Sequence, residues 1–185
     1  MGTVLFGTEL VGGVVSRVVV TRTISAPARQ VWDVFTDLAG RRSWLSDVEY
    51  VEELTPGPFG VGTRWRETRL GARRRPITEE LEVAALDPGR SCTITLAGAG
   101  AHYQLTYAFT PIDVGSHRGS TTVSAVYEGR PHGLTNRFLM FFLGGFDART
   151  VEGALRDDLD ALAQSVGARA VPNDARSARV WPRAS

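Results

Sequence analysis

The sequence contains no lysine: all 21 of its basic residues are arginine. That removes every Schiff-base mechanism that needs a lysine side chain. Cysteine is almost as scarce. Cys92 stands alone, which excludes an intramolecular disulfide and any zinc site built from several cysteines. Long apolar runs are missing too. The longest, Phe138 to Leu143, ends at Gly144, Gly145 and Asp147, far short of the roughly 20 residues a membrane-spanning helix needs. The first residues show no charged region ahead of their apolar ones and no small-residue cleavage site. No secretory signal and no membrane partner are therefore expected, and a cytoplasmic protein is the simplest expectation.

Charge of one sign is also lacking, since the formal net charge is +1, and nothing global argues for a nucleic-acid partner. One local exception is the set Arg64, Arg66, Arg69, Arg73, Arg74 and Arg75. Asp47, Glu49, Glu52 and Glu53 precede it and Glu79, Glu80 and Glu82 follow it, so cross-strand pairing on a solvated sheet face is preferred to a polyanion site. Hydrolase elbows, phosphate-binding glycine loops and dinucleotide fingerprints are absent from the sequence. His102, His117 and His132 share no ligand-spaced motif, so neither a metal nor a cofactor is expected.

What is present suits one domain. In 185 residues, 43% hydrophobic content is enough for a substantial core. Residues 17–24 read as a strand that breaks at Ser25-Ala26-Pro27. Pro27 suits the first turn of a helix over 28–37, with Ser25 as its cap. Val31, Val34, Phe35 and Leu38 recur there at helical spacing, and a shorter helical turn over 39–45 carries Trp44. Strands follow at 48–54 and 63–70, with the proline- and glycine-rich run 55–62 between them. Ile77, Leu81, Val83 and Ala85 keep a near period of two up to the turn Asp87-Pro88-Gly89. Residues 91–96 form the next strand. Tyr103, Leu105, Tyr107 and Phe109 then alternate with polar residues, with Pro111 and the stretch Asp113 to Gly119 closing that strand, and residues 120–127 form a seventh. Short turns with no intervening helix predict an antiparallel meander.

A long helix is predicted over about 133–166, its apolar stripe running through Leu134, Phe138, Phe141 and Phe142 to Val151, Leu155, Leu159, Leu162 and Val166. Gly144-Gly145 interrupts it, which implies a kink, a break or a close approach to another backbone or a ligand. Residues 168–185, with Pro172, Pro182 and four arginines, read as a mostly disordered tail in which Val180-Trp181 offers a docking point.

The positions Ile24, Ala26, Pro27, Val31, Trp32, Asp37, Trp44, Gly62 with Trp65, and Asp87-Pro88 resemble the signature of the START-like superfamily, most closely its polyketide cyclase/dehydratase branch. The resemblance implies an α+β helix-grip fold over residues 17–167: a seven-stranded curved antiparallel sheet around a long C-terminal helix, with two short helices after the first strand. Residues 1–16 form an extension outside it. The resemblance further implies a container, because one helix cannot fill the concave face of a strongly curved sheet along its whole length.

The side chains expected to line that container are Trp65, Tyr103, Tyr107, Phe138, Phe141 and Phe142, with Gly144 and Gly145. Such a lining suits a hydrophobic, planar or polycyclic ligand, although the same aromatics also serve as core. Glu67 and Arg69 share a strand face with Trp65 and are the candidate catalytic pair. If enclosed by an apolar wall, Glu67 would have a raised pKa and act as acid or base while Arg69 polarises a carbonyl. The alternative is a solvated cross-strand ion pair.

Three readings follow. A binding module for a hydrophobic small molecule comes first, because it needs only the cavity. A cofactor-independent aromatase/cyclase needs a placed acid and base as well. A self-resistance protein, which sequesters or sacrificially reacts with a toxic natural product such as an enediyne, is a special case of the binder. Either a monomer or a homodimer is compatible with the sequence.

Overall fold

The structure is a computed structural model and describes residues 16–71, 74–96, 103–129 and 148–170. Its strands are β1 (Ser16–Ile24), β2 (Val48–Glu53), β3 (Arg64–Leu70), β4 (Pro76–Asp87), β5 (Ser91–Leu96), β6 (Tyr103–Ile112) and β7 (Ser120–Gly129). The helices are α1 (Ala28–Thr36), 3-10 turns at Arg41–Ser43 and Gly115–His117, and α2 (Ala148–Ala170). All seven strands form one antiparallel sheet in the order β1-β7-β6-β5-β4-β3-β2. This is the helix-grip fold.

One local expectation needs correction. α1 begins at Ala28, with Pro27 in extended conformation (φ −60°, ψ 146°) at the cap position and no side-chain cap bond, so Ser25 does not cap it. Pro27 satisfies the helix start through its carbonyl, which accepts from the amides of Gln30 at 2.9 Å and Val31 at 3.2 Å. β6 runs to Ile112, where the stretch 113–119 begins, with Pro111 paired to Thr121. The Phe109 amide, two residues earlier and on the same edge, donates to Arg90 beyond the β5 terminus. Pro111 therefore sits where β5 has already ended and its missing donor costs no ladder bond.

The core forms on the sheet's inner face, where Trp65, Val83, Cys92, Ile94, Tyr107, Phe109, Val123, Ala125 and Tyr127 meet the two helices. From α1, Phe35 packs 4.8 Å from the Tyr107 ring and 5.1 Å from Phe109, and Trp32 meets Phe109 edge-on at 5.2 Å. α2 contributes Val151, Leu155, Leu159, Leu162 and Val166, all buried, each worth about 1.5–3 kcal/mol of apolar burial. The helix continues to Ala170, so the expected tail begins as helix, and the segment predicted as its start, with Gly144 and Gly145, lies outside the described residues. No helix among the described residues is long and apolar enough to cross a membrane.

Candidate functional site

The arginines and glutamates of β2, β3 and β4 divide between two faces. Outward, Arg66 pairs with Glu52 at 2.7 Å and with Glu80 at 3.6 Å, and Arg64 pairs with Glu80. Inward, Trp65, Glu67 and Arg69 project from β3 toward α2. Glu67 is not a solvated surface partner: it is fully buried.

Three groups hold the Glu67 carboxylate. Arg69 Nε donates to Oε1 at 2.6 Å; Arg41 Nε and the Trp65 indole Nε1 donate to Oε2 at 2.7 Å and 3.3 Å. Arg69 Nη1 then reaches Asp158 on α2, at 3.1 and 3.2 Å, and Asp47 just before β2, at 3.2 Å. One guanidinium thereby ties three elements together: sheet, helix and the loop entering the edge strand.

Arg41 reaches the site because of the chain that precedes it. Asp37 ends α1, and its Oδ1 accepts the Gly40 amide at 2.9 Å while Oδ2 meets Arg169 of α2 at 3.1 Å. A Cβ on Gly40 would stand 2.3 Å from Asp37 Oδ2, so a glycine is required for this closure. The turn then points Arg41 inward, with its guanidinium 5.6 Å from the Trp44 ring centroid and 5.9 Å from that of Trp65, within cation–π range.

The protonation pattern differs from the sequence expectation. Burial would raise the Glu67 carboxyl, but Arg41 and Arg69 outweigh it and hold it at about 2. The carboxyl that is raised belongs to Glu79. Glu79 stands opposite Glu67 in the β3–β4 register and is buried, with Oε1 lacking a hydrogen-bond partner among the described residues. Burial drives it up, Arg69 pulls back and Glu67 adds to the rise, leaving it at about 9. Near neutrality the pair is one carboxylate and one carboxylic acid, as expected when two close carboxyls cannot both ionise.

Tyr107 is buried against Phe35, and burial together with the Asp158 charge raises its hydroxyl, with Arg41 and Arg69 opposing. Burial also pushes the Cys92 thiol up to about 12, which leaves it protonated and a poor nucleophile. Burial raises the Asp158 carboxyl against the pull of Arg69. No group of histidines, cysteines and carboxylates among the described residues is arranged to hold a metal.

The structure thus brings Trp65, Glu67, Arg69 and Tyr107 onto one buried face. Tyr103 opens β6 opposite Gly129. Phe138, Phe141, Phe142, Gly144 and Gly145 lie outside the described residues. Arg41, Glu79 and Asp158 join the site without having been singled out by the sequence reading. A signal exists for two of them: Glu79 occupies the inward position between Ile77 and Leu81, and Asp158 falls at position i+3 from Leu155 on the buried stripe of α2.

Over residues 16–167 the chain matches the family described as polyketide cyclase / dehydrase and lipid transport. A search among curated protein sequences returns no match. Among solved structures, a norcoclaurine synthase point mutant from Thalictrum flavum, in complex with a transition-state analogue, superposes with a TM-score of 0.63 at 17% identity. That alignment covers 88% of this chain and 100% of the other. The protein TTHA0849 from Thermus thermophilus superposes with a TM-score of 0.61 at 21% identity, over 84% and 100% of the two chains. At these identities the likeness concerns the fold.

Proposed function

The chain belongs to the polyketide cyclase / dehydrase and lipid transport family, and from that premise we propose that it binds a hydrophobic, polycyclic or polyketide-like small molecule between the sheet and α2. The observation that carries this reading is the cluster Arg41, Glu67, Arg69, Asp158 and Glu79 embedded in an otherwise apolar inner face. A wall of aromatic and aliphatic side chains with a few convergent polar groups is the usual constitution of a small-molecule site. The apolar residues supply affinity, and the polar cluster orients an oxygen-bearing ligand.

A second reading, cyclase activity, has a specific observation in its favour. Glu67 is enclosed and hydrogen-bonded to Arg69 at 2.6 Å, and Glu79, protonated near neutrality, faces it across the strands. In an aldol closure and dehydration, a carboxylic acid so placed would protonate the departing hydroxyl, and the arginines would stabilise enolate charge. Glu67, held ionised by two arginines, is too weak a base to begin that sequence unaided.

Native mass spectrometry separates the readings. With 1,8-dihydroxyanthraquinone as probe, binding predicts one retained molecule per chain, unchanged after long incubation. With a linear poly-β-ketone thioester, turnover predicts a product lighter by one water with its thioester retained, and a probe of unchanged mass leaves binding alone. Retention of neither compound would overturn both readings.

A further inference from the structure

We propose that the Glu79 carboxyl is the specificity-determining contact of this site, donating a hydrogen bond to an uncharged ketone oxygen of the ligand and so selecting keto polycycles over hydrocarbons of the same shape. The inference rests on the ligand-binding reading above and adds the group that recognises and the group recognised. Three observations carry it. Glu79 is only 5% exposed, yet its Oε1 has no hydrogen-bond partner among the described residues, and an unsatisfied buried carboxyl oxygen is costly enough to require a partner. Its register partner Glu67 accepts from Arg41, Trp65 and Arg69, and Glu79 Oε1 makes no hydrogen bond to it. Finally, Glu79 shares the inner face with the apolar Ile77 and Val83 of β4 and with Trp65 of β3, where the body of an apolar ligand would lie.

Charge supports a donor role. The titratable groups around this end of the inner face are Glu67 and Arg69 on β3, Arg41 and Asp47 from the segment between α1 and β2, Asp158 on α2, Cys92 on β5 and Tyr107 on β6. Of these, Arg69 lowers and Glu67 raises the Glu79 carboxyl, and with burial the balance keeps it protonated near neutrality. A protonated carboxyl donates to a ketone, whereas a carboxylate would repel its oxygen.

The test uses the full chain and a matched pair of probes, 9-fluorenone and fluorene, which differ by a carbonyl in place of a methylene. Tryptophan fluorescence titration near neutral pH should show 9-fluorenone binding roughly tenfold more tightly, the value of one satisfied buried hydrogen bond. Glu79→Leu should bind both probes with no preference. Glu79→Gln, which keeps a neutral donor, should retain the preference, and above about pH 9 wild type should lose it while Glu79→Gln does not. Equal binding of the two probes by wild type, or a preference that survives in Glu79→Leu, overturns the inference while leaving the ligand-binding reading intact. Should Glu79→Leu not fold, a wild-type preference independent of pH overturns the inference equally. Failure of wild type to bind either probe removes the ligand-binding reading and the inference with it.

Discussion

Glu67 and Glu79 face each other as a register pair across β3 and β4, both buried, and near neutrality only Glu67 carries charge. The asymmetry comes from their neighbours. Two guanidiniums donate directly to Glu67, whereas Glu79 has burial and a facing negative charge against it. Local supply of positive charge, not burial, decides which carboxyl ionises.

The raised Glu79 makes stability fall as pH rises. Its folded-state value of about 9 exceeds its ordinary 4.5, so between those limits the unfolded chain holds fewer protons than the folded one, and folding grows less favourable by up to about 1.4 kcal/mol per pH unit. Glu79→Gln removes this dependence. Chemical denaturation of the two proteins from about pH 5 to about pH 9 should show the variant gaining on wild type as pH increases. Parallel curves would show that Glu79 is ionised in the folded protein.

Loss of the Glu67 charge has the opposite pH signature. Glu67→Gln leaves Arg41 and Arg69 buried without their shared counter-charge and should cost about 3–5 kcal/mol near neutrality. Because the folded value of about 2 lies below the ordinary 4.5, the wild-type advantage is fully present above that ordinary value and disappears as pH falls through the folded one. The variant should also lower the Glu79 value, by removing the facing carboxylate, and carboxyl carbon resonances report this directly.

The pairing of Arg69 with Asp158 joins β3 to α2 through two contacts of 3.1 and 3.2 Å. A double-mutant cycle with Arg69→Met and Asp158→Asn should give a coupling of about 1–3 kcal/mol. Hydrogen exchange should show faster opening of α2 in Asp158→Asn than in wild type. A coupling near zero would mean that the apolar stripe alone docks the helix.

Thr121 locks the start of α1 to the sheet. Its hydroxyl, fully buried on β7, donates to the Ala26 carbonyl at 2.7 Å. Thr121→Val keeps the shape but leaves that carbonyl unpaired, for an expected loss of about 1–3 kcal/mol in urea unfolding. A neutral result would place water on Ala26.

Strand alternation and turn chemistry make the sheet readable from sequence because the inward residues of β6 and β7, Thr121 apart, are apolar or aromatic. Tyr107, Phe109, Val123 and Ala125 announce their face. The site is harder to read because a buried charge breaks the very pattern that identifies burial. Glu79 between Ile77 and Leu81 reads as one more partner for the arginines, and only the register opposite Glu67 shows otherwise. Arg41 leaves no periodic signal, since it comes from a turn whose direction depends on the Asp37–Gly40 contact. Enclosure of Glu67 is foreseeable from Trp65 beside it, but the sign of its shift depends on an arginine distant in sequence.

Titration of 1,8-dihydroxyanthraquinone into 15N-labelled protein reads out whether the inner face around Glu67 and Glu79 receives a hydrophobic ligand. Saturable, one-to-one shifts are expected of the Trp65 indole N–H, the Arg69 Nε–H and the amides of residues 77–81, with Thr93 and Thr106 on the outer face unmoved. Shifts confined to the outer face, or none at saturating probe, would contradict binding at the inner face.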